Sequence, residues 1–325
     1  MSLQADRIKS LQFDYPEYIP ISVGILPAAW MKYRDALDEI VARHPILFND
    51  YRRGDRDYDA VGGTYVAGEH ADVWGCVWSN LHTGMEAIVT GHAAPTRPSV
   101  HALPIPERDV GFPHGFMFLR LTDLRGFQEA MLDFAEEPPE LHLLIDKVLA
   151  YNLRQAQLRL DDLRARGETD TIVYFGDDLG MQDALPISPL KWRRYLKPCY
   201  AQVYAPFVRA GYHIYMHSDG HILEIIPDLI DCGVQVINPQ VRANGIDGLA
   251  AMCKGRVCVD LDLDRQMFPF CTPQDIDDHI HEAVDKLGSP QGGLWLKGEI
   301  GPDVPLENIE AICAALERYR AYLAD

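Results

Sequence analysis

The feature that most constrains this chain is a rhythm. From residue 171 onward, short apolar runs alternate with helical segments. Thr171–Phe175, Tyr212–Met216, Val234–Ile237, Val257–Leu261 and Leu294–Leu296 read as strands, because continuous apolar runs suit a sheet covered on both faces. Between and after them, Ser188–Arg209, Ile222–Cys232, Gly245–Lys254, Pro273–Leu287 (opened by Thr272) and Leu306–Leu323 carry helical spacing. Strand then helix, five times over, predicts parallel strands with helical crossovers. An open doubly wound sheet and a closed barrel both meet this pattern. No Gly-rich phosphate loop follows any strand, so the dinucleotide-binding sheet loses its usual support. With Ile19–Ile25 as a first strand and one or two more before residue 171, the count approaches eight. The expected fold class is therefore α/β, a (β/α)8 TIM barrel. It would form a single domain over residues 1–325 with an elaborated N-terminal region over about residues 1–110, and 325 residues accommodate a barrel of roughly 250 with additions.

Upstream of 171 the texture is less regular. Pro27–Arg43 reads as one helix in a region rich in Gly, Pro, His and aromatic residues. Leu124–Glu136 is amphipathic, and Pro138–Arg166 is a long helix with prolines at its start. Met1-Ser2-Leu3 reads as a cloning remnant.

Composition narrows the function classes. Lys and Arg number 30 against 48 Asp and Glu, a formal charge of −18, and no basic run offsets it, so nucleic acid is not an expected partner. No stretch of about 18 apolar residues offers a membrane span. Met1–Leu11 has no apolar signal core, and the seven cysteines are scattered without a CxxC pair, so a cytoplasmic protein with reduced thiols is expected. Cys232, Cys253, Cys258 and Cys313 read as small core residues, and His279 and His281, two apart on a helix, as surface residues.

The polar residues just past each strand carry the functional signal. Gly176-Asp177-Asp178, His217-Ser218-Asp219-Gly220, Asn238-Pro239-Gln240, Asp260 with Asp262, and Lys297-Gly298-Glu299 stand at five successive strand ends. In a barrel such ends converge on one mouth. His217 and Asp219 leave the same face of an extended chain, and either ligate a divalent metal or form a pair in which Asp fixes the imidazole tautomer. Glu299 is a candidate third ligand. Asp177 and Asp178 point to opposite sides, so one faces the cavity and the other caps a turn. Asn238 and Gln240 are amides on one face, suited to a substrate or to holding a carboxylate. Trp74, in Trp74-Gly75-Cys76-Val77-Trp78, is a candidate pocket wall.

Tyr174-Phe-Gly-Asp-Asp-Leu-Gly-Met-Gln182, Ile187-Ser-Pro189, Lys197-Pro198, His217-Ser-Asp-Gly220, Ile226-Pro-Asp228, Asn238-Pro-Gln240 and Pro302-Asp-Val-Pro-Leu-Glu-Asn308 together resemble the uroporphyrinogen decarboxylase superfamily. The resemblance runs from about residue 110 to the end, and Asp72–Trp78 resembles its methyltransferase-like, corrinoid-dependent branch. The Arg-rich motif that grips porphyrinogen carboxylates in true uroporphyrinogen decarboxylases is absent after Pro20, where the chain reads Ile-Ser-Val-Gly-Ile-Leu-Pro. The resemblance implies a (β/α)8 barrel that moves a methyl group from a small methoxylated or methylated compound to a corrinoid protein.

Relatives of that branch hold zinc through a His-x-Cys pair and a later Cys. Here His217 keeps the first place, Asp219 replaces the second, and the third falls at Gly298 beside Glu299. Without the two thiolates, a harder site of His217, Asp219 and Glu299 is expected for zinc or another divalent metal. Asp178, His217 and Asp219 are the expected catalytic residues, Asp178 as a carboxylic acid of raised pKa. Trp74, Tyr174, Asp177, Asn238, Gln240 and Asp260 are the expected substrate contacts. The corrinoid would arrive only on a partner protein, because the chain has no Asp-x-His-x-x-Gly motif. The alternatives are a cofactor-independent decarboxylase of a small acid and a non-catalytic metabolite-binding barrel.

Overall fold

Nine strands order the chain in a computed structural model that describes residues 3–322. They are β1 (Ile21–Ile25), β2 (Gly68–Ala71), β3 (Val77–Asn80), β4 (Ile88–Gly91), β5 (Ile172–Gly176), β6 (His213–Ser218), β7 (Val234–Pro239), β8 (Cys258–Asp262) and β9 (Leu294–Ile300). Met1 and Ser2, and the Leu323 end of the last expected helix, lie outside the described residues; that helix is observed over Leu306–Tyr319. Two compact units divide the chain. The first comprises residues 1–68, 80–87 and 240–325, the second residues 69–79 and 88–239.

In the first unit β9 lies between β1 and β8, all parallel, with Ile21 opposite Leu296 and Asp262 opposite Lys297. Along β9 the buried Leu296, Gly298 and Ile300 alternate with the half-buried Lys297 and Glu299, as a two-residue period requires. Gly298 turns toward the helix Leu306–Tyr319, where a Cβ would come within 3.3 Å of Ile312. The helix Pro273–Leu287 starts where expected, on a reciprocal cap between Thr272 and Asp275. The helix Pro27–Arg43 also forms, broken at Arg34 (φ +46°), whose guanidinium donates twice to Asp59. A further helix, Leu3–Gln12, has no counterpart among the expected elements; its low amphipathicity gave no periodic signal. His279 departs from the surface expectation. Its Nε2 accepts the Asp264 N–H at 3.2 Å, it is half-buried, and burial lowers its pKa. His281 is on the surface, stacked on Tyr319.

In the second unit β6 lies between β5 and β7, again parallel, with Gly176 opposite His217 and His217 opposite Asn238. One face of this sheet meets a dense aromatic core: Phe175 packs against Phe116, Tyr204 and Phe207 at centroid distances of 5.3, 4.8 and 5.9 Å. Each such buried side chain contributes about 2 kcal/mol. The helix expected over Leu124–Glu136 is two helices, Phe118–Arg125 and Phe127–Glu136. Between them Gly126 adopts φ +86° and closes the first with a bond to the Thr122 carbonyl.

The described residues thus carry six parallel strands of the eight expected, three in each unit. The segment before 171 contributes β2, β3 and β4, which form a separate three-stranded sheet with β3 and β4 antiparallel. β2 is exposed, β4 alternates exposed with half-buried residues, and β3 is half-buried up to the buried polar Asn80, so none has the continuous apolar run of a strand covered on both faces. The seven cysteines are free, and all but the half-buried Cys271 are buried, Cys232, Cys253, Cys258 and Cys313 among them. No helix among the described residues is long and apolar enough to cross a membrane.

Candidate functional site

Strand parity sorts the polar residues of the second unit. Phe175 and Asp177 face the aromatic core, whereas Tyr174, Gly176 and Asp178 leave β5 on the other side. The pairing of β5, β6 and β7 sets these side chains in rows: Tyr174 beside Tyr215, then Gly176, His217 and Asn238, with Asp178 and Asp219 just past the strand ends. The loops bearing the two acids are locked by backbone contacts. Asp177 N–H donates to the His217 carbonyl, Gly180 N–H to that of Asp219, and His221 N–H to that of Met181. Gly180 and Gly220 meet face to face. A Cβ on Gly220, which also has φ +79°, would come within 2.2 Å of the Gly180 carbonyl carbon, so neither position admits a side chain.

His217 is the hinge of the site. Its Nδ1 lies 2.6 Å from Oδ1 of Asn238, a side chain with no solvent exposure. An amide oxygen only accepts, so Nδ1 carries a proton there and Nε2 is directed to the opposite side. On that side Nε2 meets Oδ1 of Asp219 at 3.3 Å and Oδ1 of Asp178 at 3.8 Å. Asp178 also accepts the Asp219 backbone N–H at 3.0 Å.

The fourth member is His114. Its Nε2 lies 3.1 Å from Oδ2 of Asp178, and its ring centroid 5.5 Å from that of His217. It reaches this place because position 176 has no side chain: a Cβ there would come within 2.5 Å of His114 Nδ1. Gly115 N–H, bonded to the Gly176 carbonyl at 2.8 Å, ties the segment to the strand end. Burial lowers the His114 pKa, but the hydrogen bond and charge of Asp178 outweigh it, and the net shift is upward. Burial likewise raises Asp178, but the bond and charge of His114, the Asp219 N–H and His217 prevail, so its carboxyl is held below the ordinary value. The direction is opposite to the raised pKa expected of Asp178.

The other expected site residues take varied places. Asp177 is fully buried, and its carboxylate accepts the backbone N–H groups of Met117, Phe118 and Leu119 and the Tyr200 hydroxyl. It caps the helix Phe118–Arg125 and has no oxygen to offer a substrate. Asn238, an expected substrate contact, orients the His217 ring. Trp74 is buried edge-on against Tyr151 at 5.2 Å, a packing residue, and burial pushes the neighbouring Cys76 thiol up to about 11. Tyr174 keeps an exposed ring over Tyr215, with centroids 4.7 Å apart.

Gln240, Asp260 and Glu299 belong to the first unit. Gln240 bridges to Asp262, Asp260 is buried on β8, and Glu299 is ion-paired with Arg265. Among the described residues, the His, Cys, Asp and Glu side chains whose ligand atoms all lie within 4.8 Å of one another are His114, Asp178 and His217. His114 carried no signal in the sequence: it sits between Pro113 and Gly115 in a non-periodic loop and becomes visible only through its contact across Gly176.

The uroporphyrinogen decarboxylase (URO-D) family model matches residues 121–319, more than half of the chain. The match includes Asp178, His217, Asp219 and Asn238, and begins after His114. No curated protein matches. Among solved structures, a methyltransferase from Methanosarcina mazei is similar at 17% identity with a TM-score of 0.68, over 98% of this chain and 99% of its own. A Xanthomonas albilineans dihydropteroate synthase aligns at 16% identity over 49% of this chain and 57% of its own, with a TM-score of 0.32, too low to bear on the fold. A fold shared end to end with a solved structure is joined by a family match that spans both acid-bearing loops: this chain belongs to the uroporphyrinogen decarboxylase family.

Proposed function

We propose that this chain is a methyltransferase-like enzyme that moves a methyl group from a small methoxylated or methylated compound to a corrinoid carried by a partner protein. The observation that carries this reading is the His217 ring. Asn238 commits its Nδ1, and its Nε2 stands beside two carboxylates at the ends of adjacent parallel strands. Family membership and the overall fold shared with the M. mazei methyltransferase support it.

In such a transfer the bond from the methyl carbon to its heteroatom breaks, and its electron pair stays on the heteroatom. The new bond to carbon uses the electron pair of the reduced corrinoid. A heteroatom leaves readily only when an electrophile takes up that pair, a proton or a metal ion. The cluster of His114, Asp178, His217 and Asp219 is built to hold either one against a substrate. Tyr174, exposed on the same face, is the proposed aromatic contact for the substrate. The free cysteines suit a reducing compartment, and the cytoplasm is the proposed location.

The test supplies cob(I)alamin as a free surrogate acceptor with a panel of methoxylated and methylated small compounds. The expected result is methylcobalamin formation that depends on the chain and disappears in His217→Ala. Carbon dioxide release from a small acid without methyl transfer would establish the decarboxylase reading instead. Ligand binding with neither product would reduce the chain to a binding protein.

A further inference from the structure

We infer that His114, Asp178 and His217 form a divalent-metal site, in place of the His217, Asp219 and Glu299 set expected from strand-end spacing. This assignment rests on the reading of the cluster as the active site and identifies the electrophile that it holds. Around a tetrahedral ion with N and O ligands, neighbouring ligand atoms lie about 3.4 Å apart. Asp178 Oδ2 lies 3.1 Å from His114 Nε2 and its Oδ1 3.8 Å from His217 Nε2, and one ligand atom from each of the three residues lies within 4.8 Å of the others, close enough to converge on one ion.

Both imidazoles are prepared by their surroundings. Asn238 holds His217 Nδ1, the arrangement by which an outer partner fixes the tautomer of a metal-binding histidine. The bare backbone of Gly176 lets the His114 ring lie over β5, toward the cluster. Glu299 is engaged by the Arg265 guanidinium within the first unit.

Two nitrogens and one carboxylate oxygen, without thiolate, suit zinc, cobalt(II), iron(II) or manganese(II) over soft copper(I). Imidazole ligation argues against magnesium or calcium. Three protein ligands leave a position open for substrate, as catalytic sites do. The cluster is also partly open, with His114 half exposed and Asp178 and His217 at 28% and 21% exposure.

The full chain, stripped with chelator, is titrated with Zn2+ by calorimetry and with Co2+ by visible absorption. We expect one equivalent bound and the intense visible bands of low-coordinate Co2+. His114→Ala, Asp178→Asn and His217→Ala each lose that uptake, Asn238→Ala weakens it by about 10- to 100-fold, and Glu299→Gln leaves it unchanged. No uptake by the wild-type chain, or wild-type uptake by His114→Ala and Asp178→Asn, overturns the assignment. Loss of uptake in Glu299→Gln alone overturns it in favour of the other set. Thermal melting of the metal-free variants separates a lost ligand from a lost fold. His114→Ala, at a half-exposed ring, decides the matter if the buried variants melt early. Metal uptake without methyl transfer leaves this site standing and removes the proposed reaction. Methyl transfer without metal uptake removes this site and leaves the reaction with a proton as the electrophile.

Discussion

The two sets of parallel strands end in similar residues and differ in what those residues meet. In the second unit the carboxylates of Asp178 and Asp219 meet imidazoles. In the first, Glu299 meets Arg265 and Asp264 meets Arg242. A guanidinium is always protonated and never ligates, so it neutralises an acid permanently. An imidazole near neutral pH exchanges its proton, and its free nitrogen binds a metal. The same texture of polar residues after a strand therefore yields a chemically open cluster in one unit and closed ion pairs in the other. Acids at strand ends become informative only when the cation opposite each is known.

The largest effect expected from this contrast is on activity. His217→Ala and Asp178→Asn should lower methyl transfer by about a thousandfold, roughly 4 kcal/mol of transition-state stabilisation, whereas Glu299→Gln should change it by less than about threefold. Steady-state rates on the same substrate check this, and an equal loss in Glu299→Gln would dissolve the contrast.

Next come the adjacent acids of β5. Asp177→Ala strands three backbone N–H groups, two of them buried, and a buried tyrosine hydroxyl, and should cost about 3 kcal/mol or more of stability in urea unfolding. Asp178→Ala should cost little stability and most of the activity. Comparable stability losses for both would mean that Asp178 is a structural residue.

Acids whose burial outweighs their ion pair and acids whose ion pairs outweigh burial should also differ in pH dependence. Asp123, 15% exposed in the second unit, is pushed up to about 6, first by burial and then by Asp177 and Asp72 against the opposing charge of Arg120. An acid whose folded pKa lies above its unfolded value holds extra protons when folded. Stability should therefore fall as pH rises from about 4 to about 6, by about 3 kcal/mol, and Asp123→Asn should flatten that slope. Asp228 has the opposite sign. Burial raises its pKa, but Lys197 and Arg193 outweigh burial and hold it below the ordinary value. The stability it contributes is present above about pH 4 and lost as the pH falls further. Unfolding midpoints across pH 3–7 read both.

The smallest effect is expected at Gly176. An alanine there displaces the His114 ring, and should weaken metal binding by about tenfold at a stability cost of about 1 kcal/mol. Unchanged metal affinity would show that His114 stands outside the site.

Much of this was legible in the residues, and the limits are physical. The alternation after residue 171 was read correctly because strand and helix periods are local properties, and Pro273–Leu287 carries its start signal in Thr272 and Asp275. Asp177 and Asp178 were separable in principle, because neighbours on a strand point apart, but which one faces the core depends on Phe116, Phe175 and Tyr200 packing on that side. The pairing of Glu299 with Arg265 spans 34 residues and leaves no mark in either segment.

By itself, the sequence determined the α/β class, the strand ends where polar groups gather, and His217 with Asp219 on one face, since each derives from backbone period and side-chain alternation. Only the tertiary structure decided that His114 joins them, that Asn238 bonds the imidazole, and that Glu299 pairs with Arg265. Those choices are made by register between strands and by the space left at a glycine, and neither is written in a local stretch of chain.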